Sequence, residues 1–507
     1  MGKSSSAFEL ALGGWDRSRP KSRWLHEAIK EAILGRRLPG GTRLPSSRDV
    51  AATLGVARGT VVAVYELLRA EGYIESRTGA GTWVRSVFSP AAARRRPARR
   101  GRCPGRFSRR SEALARFRFA TPGRDVDTTL FPYYPALDLF PVELWHRIAS
   151  RRLRSLDRTA LGNQAPLGFP PLREAIADYL RLARGLECSA GRIAIVAGVQ
   201  QALDVLARIV ADPGDAALVE DPCYPGAVAA LAGCGLRIRP VAVDGEGLRI
   251  ADARRTAASL AFVTPAHQAP LGVILSARRR IELLDWALRH RSLVLEDDYD
   301  GEFRHEGAPL PALGSMDPRH VATFGSFTKT LFPSIRLGFL VLPDWIVARF
   351  EAAIAVTARY PQLAVQQVLF DFIVQGHYAR HIQRMRATYR LRRDALYRAV
   401  AETMPASLTM EPAANGLSAI AWLAKGSAAD VQRRAMAGRL AVVPLSRYVL
   451  DERRAEGLVL GFGNASAAAL RTAIPILEKA VGTSGRRRRS SISEETTMPM
   501  TRPPSER

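Results

Sequence analysis

Apolar residues recur along this chain at two different periods, and the change of period divides it. Between Ser22 and about Arg36, residues Trp24, Leu25, Ala28, Ile29, Ala32 and Ile33 fall at helical spacing. Gly35, Pro39, Gly40 and Gly41 then stop the helix. A short helix is predicted after Ser46 or Ser47, either of which can cap it, with Val50, Ala51 and Leu54 on its apolar face. Gly55 supplies a turn. A further helix runs from about Arg58 to Ala70, with Val61, Val64, Leu67 and Leu68 facing inward. Two short helices joined by a glycine turn predict a helix-turn-helix. The segment from Tyr73 to Val84 reads as a β-hairpin with a glycine-rich tip, the wing of a winged helix.

From about Arg118 the pattern alternates between short apolar runs and longer helical stretches. The runs are Ile193–Val196, Ala216–Val219, Leu260–Val263 and Leu293–Leu295; the helical stretches are Gln200–Ala211, Ala227–Ala232 and Ala277–His290. Uninterrupted apolar strands separated by helices predict a buried parallel sheet covered by helices. Between the two patterns, residues 86–117 turn to arginine, alanine and proline, with no hydrophobic periodicity, and read as a flexible basic linker. The expected organisation is a winged helix over 16–85, the linker over 86–117, an α/β domain over 118–481 and a polar tail of disordered type over 482–507.

Charge and composition sharpen this picture. The 507 residues carry a formal net charge of +26, which suits either a polyanionic partner such as nucleic acid or the arginine-rich surface of a protein from a GC-rich genome. The four cysteines, Cys103, Cys188, Cys223 and Cys234, have no CxxC spacing and predict neither a disulfide framework nor a zinc site. No run is long and apolar enough for a membrane helix, and the N-terminus is a poor signal peptide. A cytoplasmic location is the expectation.

In a winged helix, the N-terminal part of the second helix of the motif enters the major groove. Arg58, Gly59 and Thr60 lie there, with Arg58 suited to a guanine edge or a phosphate, and Arg48 is placed for a phosphate. Gly79 and Gly81 would let the wing backbone approach DNA closely. In the α/β part, ligands are expected beyond the carboxyl ends of the strands. The residues that follow the apolar runs are Gly198, Val199 and Gln200 opening a helix, Tyr224 in EDPCYPG, the loop TPAHQAPLG, and Asp297 and Tyr299 in EDDYDGEF. Then comes TFGSFTKTLFPSIRLGF, with Ser326 three residues before Lys329 and Arg336 seven after it. A lysine amine condenses with an aldehyde to give a Schiff base when a dry or cationic setting lowers its pKa. A hydroxyl and a guanidinium suit a phosphate, free N–H groups at a helix start do the same, and a carboxylate pairs with a pyridinium nitrogen. Together these describe a pyridoxal 5'-phosphate site.

The run GTRLPSSRDVAATLGVARGTVVAVYELLRAEGYIESRTGAGTWV resembles the winged-helix domain of GntR-type bacterial transcription regulators. The motifs LGFPPLREAIADYL, VEDPCYPG, VTPAHQAPLGV, EDDYDGEFR, GSFTKTLFPSIRLGF and PLSRYVL resemble fold-type-I pyridoxal phosphate enzymes, the aspartate aminotransferase superfamily. The whole resembles most closely the MocR-type subgroup, in which the two are fused. The resemblance implies an N-terminal winged helix followed by a type I transferase fold with large and small subdomains. It implies Lys329 as the internal aldimine lysine, Asp297 and Tyr299 as ring-binding residues, and Tyr224 as the stacking residue. Ser326 and the Gly198–Gln200 turn hold the phosphate, Arg336 lies near the phosphate or the effector, and Arg447 receives an effector carboxylate. It also implies operator contacts from Arg48, Arg58, Gly59 and Thr60, a head-to-tail homodimer, and an amino acid or amine effector. The alternative is an active aminotransferase with an accessory DNA-binding domain. The chain departs from the family's pattern at Gly59, Val199, Cys223 and Asn163-Gln164-Ala165.

Overall fold

The computed structural model describes residues 8, 11–12, 20–77, 81–85, 107–115, 117, 125–307, 311–411, 413–450 and 456–482. Most of the expected linker, the tail after 482, Cys103 and Gly79 lie outside the described residues. The chain divides into two compact units, Met1–Arg106 and Phe107–Arg507.

The first unit has helices α1 (Lys21–Leu34), α2 (Ser47–Leu54) and α3 (Arg58–Ala70), with strands β1 (Arg43–Leu44), β2 (Ile74–Arg77) and β3 (Gly81–Val84). The strands form an antiparallel sheet in the order β1-β3-β2. Local chemistry sets the helix ends. Ser46 caps α2, its Oγ accepting from Asp49 N at 3.2 Å, and Gly55 closes it at φ 60° in the left-handed region that glycine tolerates. Leu25, Ile29, Val61, Val64, Leu68, Ile74 and Val84 form the core. Leu67, expected to face inward, is 49% exposed; one helical step of 100° carries it past the buried stripe that Val61, Val64 and Leu68 define.

The second unit is built on an eight-stranded sheet of strands β4 (Ile193–Val196), β5 (Ala216–Asp221), β6 (Arg237–Asp244), β7 (Gly247–Leu248), β8 (Leu260–Val263), β9 (Leu293–Asp298), β10 (Val321–Ser326) and β11 (Gly338–Val341). Their order is β4-β11-β10-β9-β8-β5-β6-β7. The sheet is mixed and not wholly parallel: β11 runs antiparallel to β10 and β4, and β7 antiparallel to β6. Strand β10 is interrupted by Thr323 and Gly325, which hides its apolar character, and β11 is a run of only three apolar residues after Gly338. Gly325 in β10 is required because a Cβ there would come within 2.1 Å of the Phe339 ring on β11. Helices α4 (Val199–Val210), α5 (Pro225–Gly233) and α6 (Ala277–His290) pack on the sheet close to the expected spans.

A smaller antiparallel sheet follows, with β12 (Leu408–Met410), β13 (Ser418–Leu423), β14 (Val443–Pro444) and β15 (Gly457–Gly461) in the order β12-β13-β15-β14. The helices His377–Thr403, Ala428–Ala437 and Ala467–Gly482 bury its apolar residues. Within the segment expected as linker, Arg109–Ala115 is helical, and Leu114 lies 2.9 Å from where a Cβ on Gly233 would stand.

Candidate functional site

The carboxyl ends of the central strands deliver the reactive side chains to one cavity of about 240 Å³. Its lining holds Gly198, Val199, Gln200, Tyr224, Asp297, Tyr299, Ser326, Lys329 and Arg336, every residue expected there from the sequence except Arg447. The geometry follows from strand direction. Asp297 pairs with Phe324 across the parallel β9–β10 ladder, so the chain leaves both strands at the same edge. Lys329 sits in the one-turn helix Phe327–Thr330 that begins where β10 stops, and Ser326 caps that helix.

At one end of the cavity Gly198, at φ 99°, opens α4 and leaves the first amides of that helix without helical partners. A Cβ at Gly198 would lie 3.8 Å from the Arg336 guanidinium, so the glycine and the cation share one corner. Ser326 Oγ and Thr328 Oγ1 are 2.7 Å apart beside them. Amides, hydroxyls and a guanidinium in one corner make an anion site. Tyr224 lines the cavity above Gly226; a Cβ on that glycine would stand 2.3 Å from the tyrosine ring. Burial pushes the Tyr224 phenol up to about 12, with Asp297 adding to the shift and Arg336 opposing it.

Asp297 is buried, and its Oδ1 has no hydrogen-bond partner among the described residues. Burial, together with Asp298 and Asp300, pushes its carboxyl from 3.8 up to about 8, while Lys329 pulls it down. Lys329 is lowered from its ordinary 10.5 by burial, against the pull of Asp300 and Asp297. Its Nζ donates to the Tyr133 carbonyl at 3.2 Å. The cavity thus places an amine with a depressed pKa together with a carboxyl that has one unpartnered oxygen, and with an anion site in the same lining.

Residues that the sequence reading passed over complete the wall: Tyr133, Ala269, Thr328 and Pro333. Thr328 adjoins Lys329 in the chain, so adjacency alone would have found it. Tyr133 lies 196 residues from Lys329 and follows none of the strand runs. Behind the wall, the Tyr299 hydroxyl donates to the His267 carbonyl at 3.1 Å and lies 3.1 Å from His267 Nδ1, which is 3.0 Å from both Asp300 oxygens. Arg447 is exposed on the turn Leu445–Arg447; its neighbour Tyr448 is buried and meets Tyr133 at 6.5 Å.

In the first unit, Arg48, Arg58 and Gly59 are exposed and Thr60 is half-buried at the start of α3. A Cβ at Gly59 would meet nothing within 4 Å, so that surface is open to a close partner. Gly81 begins β3 at φ 100°. The wing adds cations absent from the expected set: Arg77 and Arg43 lie 5.2 and 6.0 Å from the Trp83 ring.

Comparison with known proteins agrees with both halves. Residues 21–84 match the family "Bacterial regulatory proteins, gntR family", and residues 140–450 match "Aminotransferase class I and II". The chain is 36% identical to the probable rhizopine catabolism regulatory protein MocR of Rhizobium meliloti, covering 92% of this chain and 94% of that protein. It is 30% identical to the HTH-type pyridoxine biosynthesis transcriptional regulator PdxR of Corynebacterium glutamicum, covering 90% and 95%. Among solved structures, the kynurenine aminotransferase of Pyrococcus horikoshii, crystallised with PMP, matches 75% of this chain and 95% of its own at 26% identity and a TM-score of 0.64. With a GntR winged helix followed by a type I transferase fold, and relatives of the same build along nearly its whole length, this chain belongs to the MocR-type transcription regulators of the GntR family.

Proposed function

We propose that this regulator binds pyridoxal 5'-phosphate in the cavity around Lys329 and uses it to sense an amino compound, with operator DNA as the output. The observation that carries the reading is the buried, unpartnered Asp297 Oδ1 in a cavity that also holds Lys329 and an anion corner. A carboxyl left without a partner in a dry site costs stability unless a ligand supplies one, and a pyridine N–H is such a partner. Bound there, the cofactor supplies an aldehyde that condenses with amines.

The residues then divide the work. Lys329 is the covalent anchor, and burial lowers its pKa in the direction that favours the neutral, nucleophilic amine. Asp297 would pair with the pyridine nitrogen, Tyr224 would stack on the ring, and Tyr299 would serve the cofactor's phenolic oxygen. Gly198, Val199, Gln200, Ser326 and Arg336 hold the phosphate. Arg447 receives an effector carboxylate from the turn beside Tyr448. On the other unit, Arg58 and Thr60 with the Gly59 backbone meet the major groove, Arg48 meets a phosphate, and Gly81 brings the wing close. A head-to-tail homodimer presents two such readers to paired half-sites in cytoplasmic DNA. An effector changes operator binding only through a difference in its affinity for the two arrangements. PdxR's name, which refers to pyridoxine biosynthesis, and the aminotransferase solved with PMP support the choice of cofactor.

Borohydride reduction of the loaded protein should fix the cofactor to Lys329, read by peptide mass spectrometry. Lys329→Ala should trap none and should keep operator affinity while losing its response to cofactor and amine. Covalent trapping in Lys329→Ala would sink the assignment. Sustained multiple-turnover transamination by the wild type would favour the aminotransferase reading instead.

A further inference from the structure

Tyr133 is a non-glycine residue at φ 60°, in the left-handed region that side-chain-bearing residues seldom adopt. Its carbonyl oxygen accepts from Lys329 Nζ at 3.2 Å, and its ring centroid lies 5.7 Å from the same nitrogen. The ring meets Tyr299 edge-on at 5.6 Å and Tyr448 at 6.5 Å. The segment that carries it is tied to the smaller sheet and its helices on both sides of the turn. Gly461 N donates to Leu130 O at 2.9 Å, Asp127 N to Arg439 O at 2.7 Å and Ala441 N to Asp127 O at 3.0 Å. Past the turn, Ala136 N donates to the Tyr389 hydroxyl at 3.0 Å. The Phe131 and Tyr134 carbonyls press so closely on Gly461 and Gly463 that a Cβ there would stand 2.1 and 2.2 Å away. The turn is pinned on both flanks, so the Tyr133 backbone is fixed at this wall of the cavity, and the Tyr299 and Tyr448 rings pack against its side chain.

We propose that Tyr133 determines which amino compounds reach the cofactor. The site admits primary amines and amino acids with small, unbranched substituents next to the nitrogen, and turns away branched and aromatic ones. This rests on the cofactor reading above. When one amine replaces another at the aldehyde carbon, the bond to Lys329 Nζ breaks as the bond to the incoming nitrogen forms, and the incoming amine's two hydrogens pass to Nζ. No water or electrons are consumed. The incoming nitrogen takes the place that Nζ leaves, with the Tyr133 ring as the wall on one side. A branched substituent on that side overlaps a ring that Tyr299 and Tyr448 hold edge-on. The Tyr133 carbonyl meanwhile holds the freed amine of Lys329 by the hydrogen bond already present.

The test uses the cofactor-loaded full-length chain and a graded series of amines: glycine, β-alanine, alanine, leucine and phenylalanine. The readout is the dissociation constant from the change in cofactor absorbance. The wild type and Tyr133→Phe, which keeps the ring, should favour the small amines over leucine and phenylalanine by about tenfold or more. Tyr133→Gly, which removes the ring and suits the left-handed backbone, should narrow that ratio to a few-fold. A wild type that binds all five alike overturns the proposal even if the glycine variant is unstable, and so does a glycine variant with the wild-type ranking. Borohydride trapping keeps the two readings apart. Trapping without size ranking removes Tyr133's role alone, and no trapping at all removes the cofactor reading and this proposal with it.

Discussion

Asp297 is raised from 3.8 to about 8 chiefly by burial, so the folded, cofactor-free chain holds a proton that the unfolded chain releases. Where the native state binds more protons than the unfolded state, stability falls as pH rises. Asp297's contribution is therefore complete below pH 3.8 and is lost progressively up to about 8. Asp297→Asn should remove that loss, so the melting temperature of the cofactor-free variant should fall less between pH 4 and 8 than that of the wild type. An identical pH slope in thermal scans of the two proteins would show that Asp297 does not titrate in this window. Lys329 has the opposite sign: its lowered pKa makes neutral amine the cheaper buried form, and its contribution weakens as pH falls. The two groups attract when both are charged, so each favours the other's ionised form.

Whole elements explain why these residues meet. In β9 and β10 the parallel register puts Asp297 opposite Phe324, two residues before the Ser326 cap, so a carboxyl and a lysine 32 residues apart in the chain open onto one edge. In α3 the same logic of spacing separates neighbours. Leu68 is fully buried and Leu67 is 49% exposed. Leu68→Ala should destabilise the winged helix by roughly 2–5 kcal/mol, the range for a buried leucine that leaves a cavity. Leu67→Ala should cost no more than about 0.5 kcal/mol, as surface changes do. Denaturant titration of the two variants checks this, and equal losses would mean that the face of α3 is wrongly assigned. The glycines that carry weight are few. Gly325 and Gly226 lie under the Phe339 and Tyr224 rings, and an alanine at either position would push an aromatic ring out of place.

At the scale of the molecule, one chain joins a GntR winged helix to a type I transferase fold, and each half has its own core. Arg58→Ala should weaken binding to the specific operator by roughly 1–3 kcal/mol if the guanidinium reads a base, and should leave non-specific affinity nearly unchanged. A uniform loss across all sequences, with a shallower salt dependence, would make Arg58 a phosphate contact. Competition binding at two salt concentrations separates the outcomes. In either case the absorbance of the bound cofactor should stay as in the wild type, because Arg58 belongs to the other compact unit. Among the described residues, no helix is long and apolar enough to cross a membrane.

The sequence alone determined what depends on neighbours in the chain: helix periods, the Ser46 cap, the Gly55 turn, and the short apolar strands with polar residues at their ends. It also supplied Asp297 and Tyr224, which follow apolar runs, and Lys329 and Ser326, through the spacing within TFGSFTKTLFPSIRLGF. It could not reveal that β11 runs against its neighbours, since strand direction is settled by pairing with β4 and β10, far off in the chain. Nor could it find Tyr133 and His267, whose partners stand 196 and 33 residues away. The tertiary structure decided those because a cavity wall is built from whatever the packed elements bring together. A pinned left-handed turn and a carboxyl oxygen buried without a partner exist only after that packing is complete.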